Sequence, residues 1–135
     1  MRFQKWQKRD PIKHYFPLPN EIFSLGLEAG EIAVYAFLLY CEDRKTFQCY
    51  PSYRTIGKAV KMSSNTVRKY VRMLEDKGFI TTIPTTIRTK DGRTRNGSLL
   101  YTITPLEIFH QQQFQKLQED SQKIKLLNLS NSALP

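Results

Sequence analysis

The sequence predicts a mainly α fold with a small β-hairpin, an α/β arrangement in which a three-helix core carries the hairpin and a further helix follows at the C-terminus. Three observations point there. Residues 51–80 read as two short helices joined by a tight turn, and an apolar helix-forming run precedes them from Glu28 to Asp43. After Gly78 the helical period stops, and Thr, Ile and Phe take over with turn signals between them.

Taken in order, residues 1–19 mix basic and aromatic side chains and carry prolines at 11, 17 and 19, the composition of an extended arm. Trp6, Tyr15 and Phe16 can pack back on the domain, or the basic residues can follow a phosphate backbone or enter a minor groove. Asn20 is placed to cap a brief helical turn containing Ile22 and Phe23, closed by Gly26. In the helix from Glu28 to Asp43, acids occupy the first turn, where they suit the positive end of the helix dipole. Its apolar run from Ile32 to Cys41 is too short for a membrane span and needs cover on every side. A central helix meets that need, packed by the two following helices on one face and by the arm or a partner subunit on the other. Arg44 to Tyr50 is a connection, with a short strand at Gln48-Cys49-Tyr50.

Ser52 caps the first helix of the pair, whose apolar positions are Ile56, Ala59 and Val60, and Lys61-Met62-Ser63 breaks its period. Ser63 or Ser64 caps the second helix, 64–77. There Val67, Tyr70, Val71 and Leu74 at i, i+3, i+4 and i+7 form one buried stripe, and Gly78 is free to adopt the left-handed C-terminal conformation. Turning that stripe inward leaves Ser64, Asn65, Arg68, Lys69 and Arg72 outside. Such side chains read bases and bind phosphates: Arg forks onto guanine, Asn onto adenine, and Ser or Lys reaches backbone oxygens. The alternative is a solvated basic face; the capped helix one tight turn upstream favours the reading role.

Phe79 to Ile87 and Ser98 to Ile103 read as two strands, the second with Leu99, Tyr101 and Ile103 on one face, joined through a long tip that holds Lys90-Asp91-Gly92 and Asn96-Gly97. Pro84 belongs at a strand edge or bulge. The tip carries Arg88, Lys90, Arg93 and Arg95 against Asp91 alone, and a basic loop after a reading helix is placed to touch phosphates. From Thr104-Pro105 a C-terminal helix starts, with an imperfect apolar stripe of Leu106, Phe109, Phe114 and Leu117 that either covers the core or pairs with a second subunit. Beyond Ser121 the sequence carries no firm signal.

Charge is segregated. Of 21 basic and 12 acidic residues, 44–104 hold thirteen basic and three acidic, whereas 20–43 hold five acidic and no basic. The positive field therefore belongs to the two-helix unit and hairpin, which favours a polyanion as partner. No segment resembles a membrane span or signal peptide, so a cytoplasmic protein without membrane partners is expected. Cys41 and Cys49 are expected as buried thiols, His14 and His110 stand apart from other ligands, and no metal or cofactor is expected. No nucleophile elbow, phosphate-cradling glycine loop or His/carboxylate cluster is present, and an enzyme is not expected.

Helix, short strand, two-helix unit and basic hairpin is the order of a winged helix-turn-helix domain, here 20–104, followed by a helix and tail at 105–135. The stretch SSNTVRKYVRMLEDKGFI resembles the recognition-helix region of gluconate-repressor-type regulators and related bacterial winged-helix proteins, through Ser63, Thr66, Val67, Arg68, Leu74, Gly78 and Ile80. The resemblance implies base or phosphate contact for Ser64, Asn65 and Arg68, core roles for Val67, Val71 and Leu74, and a turn into the wing at Gly78. The wider run from Phe16 to Ile103 is similar to helix-turn-helix modules of plasmid and conjugative-element proteins of Gram-positive bacteria, including the N-terminal domains of replication initiators. Regulators of the gluconate-repressor type carry a large effector domain after the wing; only 105–135 follow it here, so no small-molecule effector is expected.

The expected function is sequence-specific binding of double-stranded DNA through a recognition helix (64–77) and a basic wing (79–103), as a transcriptional regulator of a mobile element. An origin-recognition module for replication initiation needs the same reading head, and a protein-interaction winged helix is the alternative from another class. The expected contact set is Ser63, Ser64, Asn65, Thr66, Arg68, Lys69 and Arg72 on the helix, Arg88, Lys90, Arg93 and Arg95 in the wing, and Tyr53, Arg54 and Lys58 on the preceding helix. Arg68 and Asn65 are expected on base edges. A homodimer through residues from 105 onward is expected, because one small winged helix reads only a few base pairs.

Overall fold

Two glutamates start the first helix, α1 (Ala29–Cys41), of the computed structural model, which describes residues 14–132. Glu28 and Glu31 form a reciprocal capping box in which the Glu28 amide donates to Glu31 Oε1 at 3.0 Å. Ahead of it, Ile22–Ser24 is one turn of 3-10 helix, held by the Ile22 amide on the Pro19 carbonyl rather than by an Asn20 side-chain cap. The expected packing of Trp6 lies outside the described residues.

Val34, Tyr35 and Leu38 of α1 are buried, whereas Tyr40 is 63% exposed. The apolar run is thus covered on one face and only flanked on the other, where Phe16 of the arm meets Tyr40 edge-on at 5.5 Å between ring centroids. A tight turn with Phe47 at φ +60° leads into β1 (Gln48–Cys49); Tyr50 lies outside the strand.

In α2 (Tyr53–Val60) the Ser52 hydroxyl accepts from the Thr55 amide at 3.1 Å, and Ile56 is fully buried. Ala59 is exposed, contrary to expectation, because Gly57 rather than Ala59 faces the turn. Lys61 takes the left-handed conformation and the Met62 amide returns to the Gly57 carbonyl at 2.9 Å. The reversal brings the Met62 carbonyl oxygen to 2.4 Å from where a Gly57 Cβ would stand, so this position admits no side chain.

Ser63, of the two candidate serines, caps α3 (Ser64–Asp76) by accepting from the Thr66 amide at 3.2 Å. Its end is a Schellman motif: the Phe79 amide bonds the Leu74 carbonyl and the Gly78 amide bonds that of Glu75, with Gly78 at φ +90°. The helix therefore stops at Asp76 with Lys77 as its cap, one residue before the expected end. Val67, Val71 and Leu74 are buried as expected, but Tyr70 is only half-buried. Its ring slides along Gly30 of α1, where a Cβ would meet it at 2.2 Å.

Beyond Gly78, β2 (Ile80–Ile83) and β5 (Leu100–Ile103) pair antiparallel, Ile80 opposite Ile103 and Ile83 opposite Leu100, with β1 on the other edge of β5. The hairpin is not continuous. At Pro84 the ladder breaks and resumes as a separate two-stranded ribbon, β3 (Thr86–Arg88) and β4 (Thr94–Asn96), closed by a turn in which Gly92 has φ +80°. Helix α4 (Leu106–Ser132) seals the base: Phe109 stacks on Phe79 with ring centroids 4.2 Å apart, and Phe79 in turn meets Tyr35. The helix runs on past Ser121, since nothing from 106 to 132 is a glycine or proline. Three helices around a small sheet, with a hairpin beyond the second helix of the pair, make this a winged helix-turn-helix fold with a C-terminal helix.

Candidate nucleic-acid interface

The buried stripe of α3 sets the direction of every other side chain on it. At about 100° per residue, Asn65 and Lys69 stand most directly opposite Val67, Val71 and Leu74, with Arg72 beside them; all three are exposed. Arg68 lies on the flank that faces α2 and the wing, the flank on which Thr82 of β2 donates to the Glu75 carboxylate. Thr66 and Tyr70 lie on the other flank, toward α1. Thr66 and Ser63 are occupied with each other, hydroxyl to hydroxyl at 2.9 Å, in capping the helix. Ser64 is exposed at the first turn.

The expected base-reading pair is thereby divided. Asn65 faces outward, but the Arg68 guanidinium lies over the ring of Tyr53, 5.6 Å from its centroid, which draws it toward the neighbouring helix. Arg54 and Lys58 are exposed one turn apart on the solvent face of α2. Lys69 lies over Tyr70 at 5.3 Å.

In the wing, the register separates cations that the sequence groups together. Arg88 pairs with Thr94 and Arg95 with Ile87, so Arg88 shares a ribbon face with Asn96 while Arg95 projects from the opposite face beside an exposed Ile87. Arg93 is 4.0 Å from Asp91 in an exposed ion pair. The Thr89 hydroxyl, and after it the Arg93 backbone, hold the Asp91 carboxyl below its ordinary pKa, so it stays charged at the tip. Among the described residues no carboxylate lies within ion-pair distance of Arg54, Lys58, Arg68, Lys69, Arg72, Arg88, Lys90 or Arg95, and the one acid on the outward line of α3 is Asp76 at its last turn.

Between α2, α3 and the wing base runs a groove of about 500 Å³, lined by Ser52, Tyr53, Arg68, Arg72, Leu99 and Tyr101 together with residues 96–98 at the end of β4. Tyr101 is fully buried, and its hydroxyl has no hydrogen-bond partner among the described residues. Burial, with Tyr53 and Cys49 nearby, keeps its phenol protonated well above the ordinary range. Sequence alternation marks Tyr101 as core and carries no sign of this groove, which exists only once Tyr53, Arg68 and Arg72 are brought beside Leu99 and Tyr101. Elsewhere, Cys49 is buried and its thiol pushed up to about 12 by burial, then by Cys41 and Glu42; both cysteines are free. Among the described residues no His, Cys, Asp or Glu cluster has the makings of a metal site, and no helix is long and apolar enough to cross a membrane.

Residues 25–80 match a protein family described as a helix-turn-helix domain, a span that runs from the entry to α1 to the start of the wing. No curated protein matches the chain. Similar solved structures include a possible transcriptional regulator from Methanosarcina mazei, 18% identical with a TM-score of 0.47 over 78% of this chain and 84% of that one. Bordetella bronchiseptica BpsR, solved in a study of regulation of its DNA binding by 6-hydroxynicotinic acid, is 20% identical with a TM-score of 0.39, covering 83% of this chain and 84% of that one. S. aureus MepR, solved in complex with DNA, is 18% identical with a TM-score of 0.39, covering 84% and 86%.

Proposed function

We propose that this chain binds double-stranded DNA sequence-specifically, with α3 in the major groove and the wing along the adjacent backbone, as a transcriptional regulator. The observation that carries this reading is the exposed set Asn65, Lys69 and Arg72. It stands opposite a buried stripe on a capped helix, Arg72 shares a groove with residues 96–98 at the wing base, and none of the three has a carboxylate partner among the described residues. The helix-turn-helix family match over 25–80 supports the same reading. A mobile-element setting rests on the resemblance of 16–103 to plasmid and conjugative-element modules. Regulator and origin-recognition module share this head and differ in what α4 recruits.

A second copy is the partner this reading calls for. The first turns of α4 pack Leu106 and Phe109 on the body, and the same face continues outward as exposed Leu117, Ile124 and Leu127. The reading needs neither a small-molecule effector nor a membrane surface.

In-vitro selection from random duplex DNA with the full chain tests the proposal. Enrichment of one motif, with two half-sites about 10 base pairs apart, is expected. A pool that stays random, on a chain whose folding is verified by circular dichroism, overturns it in favour of a protein-interaction surface.

A further inference from the structure

We propose that the groove between α2, α3 and the wing base is a seat for one backbone phosphate, gripped by Arg68 and Arg72, so that Arg68 anchors DNA rather than reading it. This rests on the DNA-binding reading and assigns roles within it. Four features fit an oxyanion. Arg68 and Arg72 stand one turn apart on the groove side of α3 and neither has a carboxylate partner among the described residues. The Arg68 guanidinium lies over the Tyr53 ring, 5.6 Å from its centroid, a contact that uses none of its N–H donors and leaves them for phosphate oxygens. At the floor, Tyr101 is fully buried with its hydroxyl unpartnered among the described residues, a donor that a phosphate oxygen satisfies. Finally, the groove opens to one side of the outward face that carries Asn65 and Lys69, where the sugar-phosphate strand flanking a reading helix passes.

The proposal divides labour that the helix alone does not reveal. Asn65 and Lys69 face base edges, and Arg68 fixes register on the backbone. A guanidinium drawn 5.6 Å from Tyr53 is held away from the helix's outermost line, so its loss weakens good and poor sequences alike.

The test compares the full-length protein with Arg68→Ala, Asn65→Ala and Tyr101→Phe on a selected site and on a scrambled duplex, across a salt series. A parallel series carries single neutral methylphosphonates in place of phosphates. Arg68→Ala is expected to weaken both duplexes by the same factor, about tenfold, and to lower the salt slope by about 0.9 per phosphate contact. It should also make one methylphosphonate position silent that is damaging in the unsubstituted protein. Asn65→Ala is expected to reduce the ratio between the two duplexes. Tyr101→Phe is expected to weaken both duplexes without lowering thermal stability, whereas a purely structural hydroxyl would show itself in stability and leave affinity alone. If Arg68→Ala collapses the preference for the selected site, or if no methylphosphonate position is coupled to Arg68, the seat is overturned while the DNA-binding reading stands. If the unsubstituted protein binds no duplex, both fall. Titration with inorganic phosphate, followed by the Arg68 and Arg72 side-chain resonances, then shows whether the groove takes a free oxyanion instead.

Discussion

The ammonium of Lys77, the C-cap residue of α3, lies 2.5 Å from Oε1 of Glu31, a fully buried carboxylate in the first turn of α1. Lys77 also donates to the Gly26 carbonyl at 3.3 Å, and Glu31 Oε2 has no partner among the described residues. The pair ties the C-terminal end of α3 to the N-terminal end of the central helix, so it fixes how α3 is held as well as how firmly.

Removing the lysine should therefore cost more than a surface ion pair does. Lys77→Met leaves Glu31 with the Glu28 amide as its chief remaining support, and a loss of about 1–3 kcal/mol is expected in urea unfolding. Replacing both, Glu31→Leu with Lys77→Met, should recover part of that loss because no charge is left buried. A single variant within about 0.3 kcal/mol of the parent would mean that water already supports the carboxylate.

Gly57 is the second point on which the reading unit turns. A methyl group there would stand 2.4 Å from the Met62 carbonyl oxygen, a backbone atom that no rotamer change can move. Gly57→Ala should cost at least about 1–3 kcal/mol and weaken DNA binding beyond what instability explains, since the α2–α3 angle must open. By contrast, Gly30→Ala meets the far end of the Tyr70 side chain, which is only half-buried and can swing aside, so a smaller loss is expected. Equal losses by thermal melting would show that Tyr70 is as fixed as the turn.

Much of this was legible in the chain, and the parts that were not share one cause. The α3 stripe, the Ser52 cap, a serine cap at 63 or 64 and Gly78 follow from local spacing, because a helix repeats itself within one turn and its ends need specific donors and acceptors. Tyr70 fits that stripe by spacing but is held at its edge by Gly30, some forty residues earlier. Arg68 sits at a position indistinguishable from its neighbours in sequence until Tyr53 of another helix draws its guanidinium aside. The extent of α4 escaped because its periodicity fails after Ser121, yet with no breaker the helix simply continues. Pairing partners outside the local window decided each of these.

The wing offers a sharper expectation than its composition does. Arg88 and Asn96 share the ribbon face beside the groove, while Arg95 projects from the other face and Arg93 is engaged by Asp91. Arg88→Ala should flatten the dependence of log affinity on log salt by about 0.9, and Arg95→Ala should change it little. The opposite ranking would mean that the ribbon meets DNA with its other face.

High pH should unfold the protein through its buried phenols. Burial, then the Glu42 and Glu21 carboxylates, push Tyr35 from 10.0 up to about 12, and burial also raises Tyr101. A phenol whose folded pKa lies above its unfolded value contributes stability that is fully present below pH 10 and is lost as pH rises through the folded value. Urea midpoints should therefore fall between pH 10 and about 12, and Tyr35→Phe should fall less steeply over the same window. Identical slopes for the two proteins would show that Tyr35 ionises as freely folded as unfolded.

The last expectation concerns the second copy. Over its 27 residues α4 extends about 40 Å, far beyond the sheet it seals, and every described side chain from 111 onward is exposed. Leu106, Phe109, Leu117, Ile124 and Leu127 nonetheless fall along one line of it, interrupted by Gln113 and Asp120. A lone helix of this kind leaves those leucines in water, whereas two copies packing the stripe need only about 8 kcal/mol to be half-dimeric at micromolar concentration. Cutting the chain after Thr104 would confound the test, because it also removes Phe109 from its stack on Phe79. Leu117→Glu with Ile124→Glu leaves that stack intact. Light scattering at tens of micromolar should report a dimer for the parent and a monomer for the double variant, with the melting of the body little changed. Binding to a site with two half-sites should drop toward that for one. A parent chain that remains monomeric, both free and on a palindromic duplex, would rule out the dimer and leave the outer stripe of α4 without a second copy to cover it.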